Sequence, residues 1–359
     1  MNTKSGSLSI AIICSCAILS KYLVILPEYM VKLVGNAAWI DVLSKCTLAT
    51  ISLLLVLWLY KPFAPMSFTE TFSLALGKSG RAIFSYIYVI FLTIFNALLL
   101  RLLVEALSTV MATTAPDEFF ALFILVPVFI AAYRGTRATI NLSGIIFPLL
   151  IVTIVTVVLA LIPYYRLENL FPLFGESKGK LISGIFVKHF GFPETVLLFF
   201  FAPMLGSYRE IKRTGIITFL IITVISVSFT LAYCLTVPYP ASKSFFLPFY
   251  QMTRMIKSGA FLQRLEPIVV FVWTSFVMCS MSILISTSAS LVSSDKEREK
   301  ESAFVPILTI ITFFVAMLPK SEGTAFYLYE KMLSFSTALF PTIPVIILTI
   351  ARIRRKVKE

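Results

Sequence analysis

The 359-residue chain is 58% hydrophobic and only 14% charged, with 33 phenylalanines, one histidine and a mean hydropathy of +0.93. Soluble domains carry about 25% charged residues and need them to cover their surface, so this composition excludes a soluble enzyme, a disordered chain and a disulfide-stapled scaffold. The net charge of +13 does not indicate a nucleic-acid partner either, because the basic residues are scattered between apolar runs rather than gathered on one face.

A helix that crosses a bilayer needs about 20 mostly apolar residues. Such runs occur at about 8–33, 37–59, 82–113, 119–133, 139–163, 182–206, 214–237, 266–293, 303–319 and 333–351. The spacing therefore predicts an all-α polytopic membrane protein of about ten transmembrane helices, a single transmembrane domain over residues 1–359. The connections are 61–81, Tyr164–Lys180, Pro238–Leu265 and the charged run Asp295–Glu301. Leu8 to Leu19 has the apolar character of a signal-peptide core, but only Lys4 precedes it and no small-residue cleavage site follows, so it reads as the start of a retained span. The 5 cysteines, at positions 14, 16, 46, 234 and 279, all lie in apolar segments and read as small buried hydrophobes. No spacing of His, Cys, Asp and Glu suggests a metal site, and no cofactor is expected.

Counted by connection, lysine and arginine favour the side that holds Lys61, Lys78, Arg81, Arg134, Arg137, Arg209, Lys212 and Arg213. The same side receives the basic tail from Arg352 onward. The positive-inside rule then places both termini in the cytoplasm. The tail also suits the anionic inner leaflet of the lipid bilayer.

Ionisable residues at membrane depth are costly and face a cavity or a partner. Lys21, Glu28, Lys45, Arg101, Glu105, Lys188, His189 and Glu194 fall in that category. The first span contains Pro27-Glu28, and the sixth reads Lys188-His189-Phe190-Gly191-Phe192-Pro193-Glu194. Proline removes a backbone donor and clashes with the turn ahead of it, so Pro27, Gly191 and Pro193 mark expected helix breaks. Broken helices at matching positions of two halves point to an inverted-repeat transporter site near the bilayer midplane. Arg101 and Glu105, at i and i+4, share a helix face and form an ion pair, or a gate whose partner is Glu28 or Glu194. Lys21 has no acid one turn away. It stands in for a cation, meets a substrate carboxylate, or pairs across the bundle with Glu194 or Glu105. His189 is a candidate proton relay or a hydrogen-bonded packing residue. The eighth span carries hydroxyls from Thr274 to Ser290, and Asn96 has an amide that needs a partner. Phosphate-binding glycine loops, nucleophile–base pairs and paired catalytic carboxylates are all missing from the sequence, which does not read as an enzyme.

Several segments, in order, resemble a known family. They are the first span's Leu-Pro followed by Ala37-Ala38-Trp39-Ile40, then Leu100-Arg101-Leu102-Leu103-Val104-Glu105 with Thr114-Ala115-Pro116. Next come Tyr133-Arg134-Gly135, Phe147-Pro148, Asn169-Leu170-Phe171-Pro172-Leu173 and Leu318-Pro319. The chain is similar over nearly its whole length to the spore germination permeases. These are the B subunits of endospore germinant receptors, within the amino acid–polyamine–organocation transporter superfamily. The resemblance implies a five-plus-five inverted repeat, repeat one at about 8–163 and repeat two at about 182–351, with broken helices 1 and 6. It implies residence in the spore inner membrane or cell membrane. It also implies recognition of a small-molecule germinant, often an amino acid, and assembly with a receptor A subunit and a lipoprotein C subunit. One departure matters: the family often has glycines at the first break, whereas Ser20, Lys21 and Tyr22 stand here. Either the ligand differs from a simple amino acid, or Lys21 has replaced an ion, or the usual germinants are no longer sensed. The expected ligand contacts are Ser20, Lys21, Tyr22, Asn96, Phe192, Glu194, Thr274 and Met278. The competing readings are an autonomous proton-coupled amino-acid transporter and an ion- or water-conducting element of a receptor.

Overall fold

In lipid every backbone donor and acceptor must be satisfied within the chain, which leaves helices or closed barrels. The Leu-, Ile-, Val- and Phe-rich runs of this sequence take the first option. A computed structural model describes residues 6–24, 26–111, 114–187, 193–245, 247–256, 265–293 and 298–356, and among the described residues there is no strand. The helices are α1 (Ser7–Val24), α2 (Leu26–Val34), α3 (Ala38–Tyr60), α4 (Phe68–Met111), α5 (Asp117–Tyr133) and α6 (Thr136–Ala160). They continue as α7 (Lys178–Val187), α8 (Val196–Phe200), α9 (Ala202–Leu205), α10 (Tyr208–Thr236) and α11 (Pro248–Arg254). The last are α12 (Leu265–Val292), α13 (Arg298–Met317), α14 (Glu322–Thr337) and α15 (Ile343–Lys356). By length and composition alone, 6 helical stretches are apolar enough to cross a membrane, and Ser7–Leu23 and Ser302–Met317 are shorter apolar helices.

Each expected span has a helical counterpart, and three boundaries differ instructively. The first span is described as the helices Ser7–Val24 and Leu26–Val34, so Ser20, Lys21 and Tyr22 are helical rather than filling an unwound break. Pro27 sits in the first turn of α2, where its missing N–H costs nothing. The segment 61–81, expected as a loop, is largely helical. Ser67 and Glu70 form a reciprocal cap, with the Ser67 N–H donating to Glu70 Oε2 at 2.7 Å and the Glu70 N–H donating to Ser67 Oγ at 3.2 Å. Phe68 and Phe72 then bury themselves beside Phe199, and the helix kinks only at Gly77, whose φ of 76° a side chain would resist. The last span starts at Glu322 rather than 333 and is interrupted at Phe340-Pro341, because Glu322, Glu330 and Lys331 hide its first half from a hydropathy count.

Spans far apart in the chain pack against each other. The third span meets the eighth (α4 on α12) and the second meets the seventh (α3 on α10). The fourth leans on the eighth as the ninth leans on the third (α5 on α12, α13 on α4). At the centre, α1 lies against α10, α12 and α6. Large apolar side chains such as Trp58, Phe123, Ile145, Leu220, Phe271 and Phe314 point outward and are 58–72% exposed, the surface expected of a lipid-facing perimeter.

The two ends of the bundle are distinct. At one end the connections after the first, fifth and seventh spans touch: Asn36 Nδ2 donates to the Phe171 carbonyl at 2.6 Å, and the Arg166 N–H donates to the Leu235 carbonyl at 3.0 Å. Gly175 (φ 65°) is required there, since a Cβ would stand 1.9 Å from the Val34 carbonyl oxygen. Exposed Glu176 accepts from Tyr239, Lys180 and Lys243, the last at 2.7 Å. At the other end Ser7 donates to Glu210, and Arg352 Nε donates to the Leu59 carbonyl at 3.0 Å. Both ends of the described chain therefore sit on one face of the bundle.

Candidate functional site

Lys21 lies in the last turn of α1, and Glu194 in the short 3-10 turn Pro193–Thr195 that precedes α8. The packing brings these side chains together: Lys21 Nζ is 2.8 Å from Glu194 Oε1 and 2.7 Å from Oε2. The residues are 2% and 1% exposed. Both charges are out of water, so each depends on the other for its stability. The Phe95 ring of α4 completes the enclosure with its centroid 5.8 Å from the ammonium, and it stacks at 5.5 Å on Tyr329 of α14.

In the interior of the bundle the structure leaves polar atoms unanswered. The amide oxygen and nitrogen of Asn96, the hydroxyl of Thr195 and the hydroxyl of Tyr329 are buried with no hydrogen-bond partner among the described residues. More than nine in ten buried polar groups are ordinarily paired, so such a group of orphans points to a ligand or water that satisfies them. On the α12 side, Ser20 Oγ and Ser280 Oγ are 3.0 Å apart and tie α1 to α12.

Further ion pairs surround this centre. Asp41 and Lys45, on successive turns of α3, are fully buried with Lys45 Nζ 2.5 Å from Oδ2 and 3.3 Å from Met30 Sδ. Gly184 of α7 lets that helix approach, since a Cβ there would lie 2.7 Å from Val34 Cγ1 and 3.3 Å from Asp41 Oδ1. Arg101 binds Glu105 one turn on and Asp117 of α5 at 2.7 Å. Glu28 is paired with Lys32, and Tyr29 donates to Glu330 at 2.8 Å. Arg101 and Glu105 thus form an outer cluster with Asp117, and the structure does not join them to Glu28 or Glu194.

Of the expected ligand contacts, Ser20, Lys21, Tyr22, Asn96 and Glu194 are buried in the central region. Phe192, Gly191 and His189, with Lys188, lie outside the described residues. Thr274 and Met278 are placed elsewhere. Helical residues advance 100° each, so Met278 points about 200° and Thr274 about 240° away from Ser280, the residue that meets α1. Both line a separate cavity of about 780 Å³ between the end of α4, α5 and the start of α12, with Phe120 and Phe271. Trp273, one residue before Thr274, shares the face of Ser280, and its buried indole N–H has no partner among the described residues. Asp41, Asp117 and Tyr329 were not singled out by the sequence. The i, i+4 spacing of Asp41 and Lys45 was the available signal for the first, and nothing local marks the others.

The pattern of the spore germination protein family matches residues 7–325. Spore germination protein YndE of Bacillus subtilis is 20% identical over 329 residues, covering 89% of this chain and 88% of that protein. Spore germination protein XB of Bacillus anthracis is 21% identical over 301 residues, 82% of each chain. GerQB of Bacillus cereus is 24% identical over 258 residues, 70% of this chain and 69% of its own. Among solved structures, a Na⁺-coupled sialic acid symporter superimposes with a TM-score of 0.64 at 13% identity, covering 94% of this chain and 78% of the symporter. Mhp1, a nucleobase-cation-symport-1 family transporter, does so with a TM-score of 0.63 at 12% identity, covering 96% and 78%. At such identities these likenesses describe the fold, which is that of an all-α polytopic transporter.

Proposed function

This chain belongs to the spore germination protein family, and from that premise we propose that it is the germinant-recognising membrane subunit of a spore germination receptor. The ligand we infer is a small zwitterion of the amino-acid class. The observation that carries this reading is the buried Lys21–Glu194 pair between the first and sixth spans. A zwitterion inserted there replaces one ion pair with two: its carboxylate takes the Lys21 ammonium and its ammonium takes Glu194. The Asn96 amide, the Tyr329 hydroxyl and the Thr195 hydroxyl, unanswered among the described residues, supply the remaining hydrogen bonds. With the internal pair closed, the two broken spans are held together. A ligand that binds only with the pair open has different affinities for the two states, which is the requirement for a signal.

In this reading the repeats run over about 8–163 and 182–351, the termini face the cytoplasm, and the protein resides in the spore inner membrane with A and lipoprotein C subunits as partners. The test is thermal stabilisation of the detergent-purified chain by an amino-acid panel. Each hit is compared with its amide, which lacks the carboxylate, and with its des-amino analogue. Stabilisation by the zwitterion alone is expected. Equal stabilisation by the des-amino analogue or the amide contradicts the two-pair exchange.

A second reading, an autonomous amino-acid transporter, is favoured by the fold shared with two transporters. Uptake of labelled amino acid by liposomes holding only this chain would decide for it. Binding without uptake is expected from a recognition subunit.

A further inference from the structure

The seventh span carries a surface that the germinant reading does not use. Its helix α10 opens Tyr208-Arg209-Glu210-Ile211-Lys212-Arg213, with three cations inside two turns. At 100° per residue, Arg209, Lys212, Arg213, Ile216 and Leu220 fall within an arc of about 100° on one face of the helix, and all of them are exposed. A hollow of about 420 Å³ on this face is lined by Tyr208, Arg209, Lys212, Arg213, Ile216 and Ile217. None of the three cations makes an ion pair or a side-chain hydrogen bond among the described residues. The one acid in this stretch, Glu210, stands about 100° round the helix from Arg209 and accepts from Ser7 at the start of α1. The acidic run Asp295–Glu301 leads into α13, which packs on α4, α5 and α12, whereas α10 packs foremost on α1 and α3.

We propose that this face seats an anionic phospholipid, its phosphodiester held by Arg209, Lys212 and Arg213 and an acyl chain running along Ile216 and Leu220. Charge is the first support. The arginine fork matches two phosphate oxygens at once, and the lysine adds a point charge. In the first turns of a helix these cations oppose its dipole, so the helix itself gains nothing from them, and a bound anion relieves their mutual repulsion. Depth is the second support. At 1.5 Å per residue, Ile216 lies about 10 Å and Leu220 about 16 Å along the axis from Arg209. Ile216, Leu220 and Val224 are 43%, 63% and 56% exposed. The basic patch is therefore stacked end to end with an apolar strip of the lipid-facing perimeter. An acidic peptide would answer the charges and leave the strip bare, whereas a phospholipid answers both. The assignment does not depend on which end of the bundle faces the cytoplasm, because both leaflets present phosphodiester headgroups.

The test titrates the detergent-purified full chain with phosphatidylglycerol, with phosphatidylcholine, or with glycerol phosphate, which has the anion and no acyl chain, and counts retained molecules by native mass spectrometry. Saturable retention of phosphatidylglycerol is expected, with none of phosphatidylcholine and none of glycerol phosphate over the same concentrations. A basic residue beside an anionic surface strengthens attraction about fivefold, so Arg209→Gln with Arg213→Gln is expected to weaken retention about 25-fold. Lys61→Gln with Lys78→Gln removes the same charge from two exposed lysines in the connection between spans two and three, and it is expected to leave retention unchanged. Leu220→Ser, with every cation in place, is expected to weaken it as well. Thermal midpoints of the lipid-free variants close to that of the native chain confirm folding. Equal losses in the two charge-matched variants overturn the proposal, because bulk charge would then account for binding. Equal retention of glycerol phosphate overturns it in favour of a soluble anion. Undiminished phosphatidylglycerol retention in the arginine variant overturns it and leaves the face to an acidic protein partner.

Discussion

A carboxylate or ammonium withdrawn from water loses several kcal/mol of hydration, and its partner returns most of that loss. Lys21→Ala leaves Glu194 buried alone, and a loss of about 3–5 kcal/mol of stability is expected in chemical denaturation of the purified protein. The neutral pair Lys21→Met with Glu194→Gln is expected to recover most of it. A single variant as stable as the native chain would show that the pair is not shielded as described. Asn96 should behave in the opposite sense. Both its amide atoms are buried without a partner among the described residues, and an unsatisfied group costs about 1–3 kcal/mol. Asn96→Leu is therefore expected to raise the stability of the ligand-free protein while abolishing stabilisation by a bound zwitterion. A loss of stability on that substitution would show that the amide already serves the fold. Lys21 and Glu194 were visible in the sequence, because a charge in an apolar run stands out. Their pairing was not, being 173 positions apart, and Lys21 was equally compatible with other acids. Trp273 was hidden for the reverse reason: an aromatic residue among apolar neighbours does not announce which face it occupies.

Interrupted helices and the clamps that hold them set the geometry at the next scale. Pro27 lies in the first turn of α2 and Pro193 opens the 3-10 turn ahead of α8, and both positions were legible because proline acts on the turn directly ahead of it. The second half of the site was less so, since the last span opens with charged residues and its helical start depends on burial that hydropathy does not record. The Glu176 clamp joins the connection before α7 to the one after α10. Lys180, Lys243 and Tyr239 hold the Glu176 carboxyl down from its ordinary 4.5 to about 2, and Glu176 in turn raises the Lys243 ammonium. A depressed carboxylate contributes stability that is complete above about 4.5 and disappears as pH falls through about 2. The thermal midpoint of the native chain is thus expected to fall between these values by more than that of Glu176→Gln. Parallel acid limbs in the two proteins would show that the clamp carries no stability.

At the scale of the whole molecule, alternating connections and paired packing agree with the count of apolar runs in the sequence. The distribution of lysine and arginine between the two ends of the bundle can be checked directly. All 5 native cysteines are among the buried residues, so background labelling is low. In intact cells, an impermeant maleimide is expected to label Ser177→Cys, near the Glu176 clamp, and to leave Lys212→Cys unlabelled until the membrane is opened. The reverse pattern inverts the protein. The central claim is that a zwitterion is recognised by exchange with the Lys21–Glu194 pair. The most direct test sets the native chain beside the Lys21→Met, Glu194→Gln double variant, both folded, and measures the thermal shift each shows with the amino acid that stabilises the native protein. The account predicts a saturable shift in the native chain and none in the neutral pair; a shift of equal size and midpoint concentration in both would contradict it.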